Sequence, residues 1–271
     1  MGTNNIQERR IQTNGIELNV VIAGEPTNPA LLLLHGLYDR WDTWDPVIRA
    51  FSGRFQVIAP DLRGHGQSDH PKSEYSPLDY QADIVGLLDQ LEVQQVVPIG
   101  HSLGALVAEY FAAENPDRTR AVVLVDPPFE QTEQTREWLQ ILLDAKRKSE
   151  EETFETVKEL NIMTGDDAEW KRQTEWLRAT ADGPFEEMIA MIDDGRAAQL
   201  YEVLRRVTPP TLLIQADPDS GGTLSDASSE IALNHLQEGM HRRFDNTGHS
   251  IHIERTDEFV QVVSDFLEQL Q

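Results

Sequence analysis

The feature that most constrains the fold of this 271-residue chain is the segment Gly100-His101-Ser102-Leu103-Gly104. It follows a short apolar run at residues 96–99 and precedes a helical pattern that begins at Leu103. Glycines on both sides of Ser102 permit a sharp turn, because side chains there would collide with the neighbouring strand and helix. The segment therefore predicts a strand-to-helix turn that presents the Ser102 hydroxyl at a helix start, where free N–H groups favour negative charge.

Strand and helix patterns alternate on both sides of this turn. Residues 9–23 alternate around Asn14-Gly15, a dipeptide typical of tight hairpin turns. Continuous apolar runs fit strands buried on both faces of a parallel sheet. We predict further strands at 31–34, 55–59, 96–99, 121–125, 211–215 and 240–244, and helices at 44–51, 78–91, 103–113 and 257–270. The chain is thus predicted to be an α/β protein with a mostly parallel central sheet flanked by helices.

Pro98 lies inside one of the predicted central strands. Proline has no N–H and deletes one bond of a strand ladder. We therefore expect a bulge or an unpaired position at Pro98.

A long segment interrupts the sheet pattern. Residues 129–206 read as charged helices, with breaks near Thr164-Gly165-Asp166 and Asp182-Gly183-Pro184 and no strand pattern. We predict a helical cap at 129–206, inserted into an α/β core formed by residues 1–128 and 207–271.

The charge balance narrows the choice of partners. The chain has 23 Lys and Arg against 47 Asp and Glu, a formal net charge of −24. Such a charge repels nucleic acid and anionic membrane surfaces, so neither is expected as a partner. The chain shows neither a secretory leader nor an apolar run long enough for a bilayer, which predicts a cytoplasmic protein. Its oligomeric state is not specified by any pattern.

Five motifs in this order make the chain resemble the α/β-hydrolase superfamily over nearly its full length. They are His35-Gly36, the segment 61–68 (DLRGHGQS), the Ser102 turn, Asp217-Pro218-Asp219 and Gly248-His249. Each follows a predicted strand. The resemblance implies an enzyme with a nucleophile, an acid and a histidine in that chain order, and it implies no cofactor.

On this resemblance the nucleophile is Ser102 and the base is His249. Two acids remain open. Asp219 has the usual family position after the strand at 211–215 and is preferred. Asp126, at the end of the strand at 121–125, is the alternative acid, because some members, including certain lactonases, take their acid from there. The chemistry is consistent, since a serine hydroxyl needs a base and the resulting imidazolium needs a carboxylate.

The remaining motif residues are given supporting roles. Backbone N–H groups of Leu37 and Leu103 would form the oxyanion hole. His252 is a weaker candidate for the base than His249, and without nearby ligands no metal site is expected. The chain has no cysteine, which excludes a cysteine nucleophile. Loop-supporting positions are assigned to His35, Asp61, Arg63, His65 and His101.

The substrate is indicated only in outline. Several aromatic residues could line an apolar pocket or simply pack the core: Trp41, Trp44, Trp138, Trp170, Trp176 and Phe185. The preferred interpretation is a carboxylesterase or lactonase for small to medium apolar substrates. A serine at position 102 disfavours the dehalogenase and epoxide hydrolase branches, which use an aspartate. The alternatives are a C–C bond hydrolase or cofactor-free perhydrolase with the same triad, and a non-catalytic ligand receptor of the same fold.

Overall fold

A computed structural model describes residues 6–160 and 166–270 of the chain. An eight-stranded sheet has the order β1-β2-β4-β3-β5-β6-β7-β8. Its strands are β1 (Gln7–Thr13), β2 (Ile16–Ala23), β3 (Ala30–Leu34), β4 (Gln56–Pro60), β5 (Val96–His101), β6 (Val122–Val125), β7 (Thr211–Gln215) and β8 (Gly239–Arg243). From β4 to β8 all neighbouring strands are parallel. The predicted α/β fold with a mostly parallel sheet is confirmed.

The first two strands form the predicted hairpin. β1 pairs antiparallel with β2, and β2 pairs antiparallel with β4. The turn residues Asn14 and Gly15 both have positive φ, 43° and 80°. This combination is the one that a two-residue turn needs to match the twist of the flanking strands.

The helices in chain order are α1 (Asp45–Phe51), α2 (Pro77–Gln90), α3 (Leu103–Glu114), α4 (Glu133–Lys146), α5 (Glu150–Leu160), α6 (Asp167–Ala179), α7 (Gly183–Asp193), α8 (Leu200–Leu204), α9 (Asp226–His235), α10 (Ile251–Glu254) and α11 (Thr256–Glu268). Both faces of the sheet are covered. In β3, Leu32 and Leu34 pack in the layer that contains α2 and α3, whereas Leu31 and Leu33 pack in the layer that contains α1 and α11. Strand alternation therefore explains why this run is apolar throughout.

Pro98 occupies an unpaired position on one side of β5, as the sequence predicts. On one side it is in register with Leu32 of β3. On the other side the ladder to β6 begins only at Ile99, opposite Val123. The missing N–H therefore costs no bond to β6.

Helices α4 to α8 lie between β6 and β7, in the segment predicted to be the cap. They contact the core near the carboxyl ends of the strands: the Ala181 N–H donates to the Gly64 carbonyl oxygen at 2.7 Å, and Phe185 of α7 stacks on Tyr38. The predicted break at Thr164-Gly165 lies outside the described residues, while Asp166 caps α6. Of the helices described, none is long and apolar enough to cross a membrane.

Candidate active site

Ser102 stands at the sharp turn between β5 and α3. Its backbone has φ 52° and ψ −117°, a conformation that non-glycine residues rarely adopt. The flanking glycines are required by space. A Cβ on Gly100 would lie 2.0 Å from the Gly104 carbonyl oxygen, and one on Gly104 would lie 2.2 Å from that of Leu34. Helix and strand thus approach each other over glycine alone, and the turn holds Ser102 in its strained conformation.

The two backbone N–H groups predicted for the oxyanion hole flank the same point of the sheet. Leu37 follows β3 and Leu103 begins α3, and β3 and β5 are neighbours in register. Within residues 6–160 and 166–270, neither N–H has a hydrogen-bond acceptor in the protein. First-turn helix N–H groups and loop N–H groups of this kind remain available to an anionic oxygen.

A histidine and a carboxylate meet beside this turn. His249 Nδ1 lies 2.6 Å from Asp126 Oδ2. Asp126 directly follows β6 and is fully buried, and His249 lies in the loop between β8 and α10. The side chain of His249 remains 14% exposed. Because Nδ1–H donates to the carboxylate, the opposite nitrogen, Nε2, is left to act as a base.

The preferred acid of the sequence analysis, Asp219, does not contact His249. β7 ends at Gln215, and Asp217 accepts the Asp219 N–H at 3.2 Å to cap a short 3₁₀ turn. This turn leaves Asp219 exposed. Asp126, the alternative acid, has a positive φ of 43°, which short polar residues tolerate. The preference for Asp219 is therefore not supported by the structure, in which the carboxylate against His249 is that of Asp126, the alternative acid.

The Asp126 carboxylate is well supplied with donors. Oδ1 accepts the Ala216 N–H at 3.1 Å, and Oδ2 accepts the Thr223 N–H at 2.8 Å and hydroxyl at 3.1 Å. Burial by itself raises the pKa of this carboxyl, but the hydrogen bond and charge of His249, together with the N–H donors of Thr223 and Ala216, outweigh it and hold the pKa below its usual value. Asp126 is therefore ionised when His249 needs a negative partner.

Asp217 supports the loop that carries His249. Its Oδ2 accepts the Asn246 N–H at 2.9 Å, and its own N–H donates to the Thr247 carbonyl oxygen at 2.9 Å. Arg243 of β8 approaches Asp217 Oδ1 at 3.1 Å. Asp217 thus connects the loop that follows β7 to the loop that carries His249.

The other predicted loop-supporting residues lie in the same region. His35 accepts the Leu62 N–H at Nε2, 2.9 Å away, and donates from Nδ1 to the Gly36 carbonyl oxygen. Asp61 accepts from the Trp41 and Gln67 N–H groups, both at 2.9 Å. These bonds hold the β3 and β4 loops beside Ser102.

Two further residues predicted to support loops, Arg63 and His65, contact other buried polar groups. Arg63 and Asp83 form an ion pair at 2.6 Å, with both side chains only 2% exposed. His65 is fully buried beside His35, and burial, with His35 nearby, holds its pKa well below the usual value. Neither contacts Ser102 or His249.

His252 belongs to the core and not to the His249–Asp126 pair. It is fully buried, and its ring stacks on Trp44 with centroids 4.0 Å apart. Burial, together with the neighbouring His101 and His249, holds its pKa well below the usual value. In the part of the chain that the structure describes, no group of three or more His, Asp or Glu side chains is placed to hold a metal ion.

The candidate pocket aromatics divide by environment. Trp44 packs in the core layer of α1 and α11. Phe185 of α7 stacks on Tyr38, with ring centroids 6.5 Å apart and planes 7° apart, and Tyr38 directly follows Leu37 in the chain. Trp176 is nearly buried under Arg172, and Trp41, Trp138 and Trp170 are partly buried. Phe185 is thus the aromatic that links the helical segment to the candidate oxyanion loop.

Comparison with known proteins identifies the family. The family model of the alpha/beta hydrolase fold matches residues 29–256. The 2-(acetamidomethylene)succinate hydrolase of Mesorhizobium japonicum is 32% identical over 221 residues, which are 77% of each chain. Ser102 stands at the turn between β5 and α3 of this fold. The chain belongs to the α/β-hydrolase family.

Two other relatives show the breadth of this family. Epoxide hydrolase 3 of Siraitia grosvenorii is 39% identical over 127 residues, which are 46% of this chain and 40% of that protein. The enol-lactonase from Burkholderia xenovorans LB400 has a TM-score of 0.81 and 25% identity, covering 96% of this chain and 100% of that one. The matched part thus spans about two fifths of the epoxide hydrolase and the whole of the lactonase.

Proposed function

We propose that this protein is a serine hydrolase that cleaves small to medium apolar carboxylic esters or lactones through an acyl-enzyme, with Ser102, His249 and Asp126 as its triad. The observation that carries the proposal is the 2.6 Å contact between His249 Nδ1 and Asp126 Oδ2. A buried carboxylate behind the imidazole gives the histidine the tautomer and the charge compensation that a serine nucleophile requires.

In the proposed first half-reaction, His249 Nε2 takes the Ser102 hydroxyl proton as Oγ attacks the substrate carbonyl carbon. The oxygen that becomes negative is stabilised by the Leu37 and Leu103 N–H groups. The tetrahedral intermediate collapses and breaks the bond to the leaving alkoxide, which receives the proton from His249. For a lactone the leaving oxygen stays attached to the acyl group as a hydroxyl.

In the second half-reaction, His249 takes a proton from water, and the hydroxide adds to the acyl carbon. Collapse then releases the carboxylic acid and returns the proton to Ser102. Asp126 keeps its negative charge throughout and stabilises the imidazolium that forms in each half. All atoms and protons balance with water as the co-substrate, and no cofactor is called for.

The residue at position 102 and the similarity to the lactonase support acyl chemistry over epoxide opening. A serine oxygen can be acylated and hydrolysed, whereas the resemblance assigns an aspartate to epoxide hydrolases at this position. Tyr38 and Phe185, which stack on each other beside the Leu37 loop, give this region an apolar character, in keeping with an apolar acyl group. The acidic surface supports neutral substrates over polyanions.

Reaction with a fluorophosphonate, followed by mass spectrometry of the labelled peptide, tests the nucleophile. The proposal expects labelling confined to Ser102 in the wild type and none in Ser102→Ala. A parallel panel of p-nitrophenyl esters, lactones and vinylogous diketones assigns the bond that is cleaved. Turnover of the diketones alone would favour a C–C bond hydrolase, and an unlabelled wild type that binds ligands without turnover would favour a receptor.

A further inference from the structure

A second histidine supports the main chain of His249. His101, the residue before Ser102, is only 2% exposed, and its Nε2 lies 3.0 Å from the carbonyl oxygen of His249. A carbonyl oxygen only accepts, so His101 Nε2 carries the proton and donates it. The two imidazole rings are also in contact, with centroids 4.4 Å apart. The turn that presents Ser102 is thus bonded directly to the loop that carries His249.

The other ring nitrogen of His101, Nδ1, lies near a buried carboxylate. Asp39 is 5% exposed, and its Oδ2 lies 3.7 Å from His101 Nδ1. The two groups meet above Gly36, where a Cβ would come within 2.8 Å of Asp39 Oδ2 and 3.0 Å of His101 Nδ1. Glycine at position 36 therefore leaves the space in which Asp39 faces His101, and Leu37 of the proposed oxyanion hole follows directly.

The rest of the surroundings hold the ring of His101 in place. His252 lies on its other side, with ring centroids 4.7 Å apart, and His252 in turn stacks on Trp44. A ring packed on two sides loses little further freedom when it forms a hydrogen bond, so its position defines that of the bonded carbonyl group.

We propose that His101 is a positioning residue for the hydrolytic reaction: its Nε2–H, on a ring packed against His249 and His252, fixes the His249 main chain so that the imidazole bridges Asp126 and Ser102. The inference rests on the proposed serine hydrolase function. A displacement of a general base by about 1 Å can cost about 100-fold in rate, so the hydrogen bond acts on kcat, while the substrate pocket is left unchanged.

Substitution of His101 by glutamine or by asparagine distinguishes the roles of its two ring nitrogens. The amide nitrogen of glutamine reaches the place of Nε2, whereas that of asparagine reaches only the place of Nδ1. We expect His101→Asn and His101→Leu to lose about 10- to 100-fold in kcat with KM changed less than about threefold. His101→Gln should recover to within about fivefold of the wild type. A residue that only fills space would show no such difference between Asn and Gln.

A measurement without substrate complements the kinetics. The His249 Nδ1 proton, shared with a buried carboxylate, is expected to give a low-field proton NMR signal in the wild type and in His101→Gln. In His101→Asn that signal should shift upfield or broaden beyond detection. Thermal unfolding confirms that each variant is folded. If the His101 variants do not fold, His252→Leu removes the ring that packs on His101 without changing His101 itself and should lower kcat in the same sense.

The outcomes are distinct. Wild-type rates in His101→Asn, or equal losses in the Asn and Gln variants with an unchanged NMR signal, would overturn the positioning role alone. An unlabelled Ser102 and no turnover in the wild type would overturn the proposed function, and the NMR comparison would still decide whether His101 positions His249.

Discussion

The hydroxyl of Thr223 donates to the buried acid and lies within contact of the histidine. Its Oγ1 is 3.0 Å from the Asp126 carbonyl oxygen, 3.1 Å from Asp126 Oδ2 and 3.5 Å from His249 Nδ1. Thr223 follows β7, the strand whose loop was expected to supply the acid. That loop thus contributes a hydroxyl and an N–H that hold the acid contributed by β6.

Replacing Thr223 by valine tests this relationship, because the side chain keeps its shape and loses only its hydroxyl. We expect kcat for an ester to fall about tenfold and unfolding free energy to fall by about 1 kcal/mol, the usual contribution of one hydrogen bond. Ester hydrolysis assays give kcat, and urea unfolding gives the free energy of unfolding. Thr223→Ser keeps the hydroxyl and should retain most of the activity, and an inactive serine variant would show that the methyl group matters more.

The close approach at the Ser102 turn predicts a sharp difference between two glycines. Gly104→Ala should cost at least about 3 kcal/mol or prevent folding, because backbone atoms of β3 occupy the space of the new methyl group. Gly53 has no atom within 4 Å of its Cβ position. Gly53→Ala should leave stability unchanged or raise it by up to about 1 kcal/mol. Equal effects in urea unfolding would contradict the packing described for the turn.

Glu109 is a buried carboxyl group on α3 with no role in the proposed reaction. It is fully buried, and neither carboxylate oxygen has a partner among the described residues. Burial raises the pKa of Glu109 well above its usual value, and the positive charge of Arg206 offsets this only in part. The group is therefore protonated over a wider pH range in the folded protein than in the unfolded chain.

The sign of the resulting pH dependence follows by linkage. Below the ordinary glutamate pKa, Glu109 is protonated in both the folded protein and the unfolded chain, so its ionisation does not affect the free energy of unfolding. As the pH rises from there towards the folded-state pKa, only the unfolded chain ionises, and the free energy of unfolding falls. Glu109→Gln should match the wild type at pH 4 and be more stable at pH 8 by about 1–3 kcal/mol. The exposed pair Glu114–Arg206 provides the control. Glu114→Gln should change stability by less than about 1 kcal/mol at either pH.

Local patterns in the sequence are sufficient to predict the sheet and the turn at Ser102. Asn14-Gly15 predicts the hairpin because few residues adopt positive φ twice in succession, and the glycines around Ser102 predict a close approach of helix and strand. Pro98 was compatible with a central strand because the ladder on its unpaired side starts one residue later. The division into core and cap at residues 129 and 206 remains a prediction.

The acid could not be chosen from local patterns, because the choice depends on how two loops lie in space. Asp126 and Asp219 both follow predicted strands. What separates them is the capping of the 3₁₀ turn by Asp217, which leaves Asp219 outside, and the positive φ of Asp126. The signal that favoured Asp126 was an aspartate placed directly at the end of an apolar strand. Thr223 and the contact of Asp39 with His101 had no sequence signal, since each depends on tertiary approach.

Comparison of Asp126→Asn with Asp219→Asn decides which carboxylate serves His249, since the two changes are chemically identical and differ only in place. We measure kcat/KM for the best ester or lactone substrate. We predict a loss of about 10⁴-fold in Asp126→Asn, as expected when a triad histidine loses its carboxylate. Asp219→Asn should remain within about twofold of the wild type, as for a surface change. A large loss in Asp219→Asn with an active Asp126→Asn would show that Asp126 is not the acid of the triad.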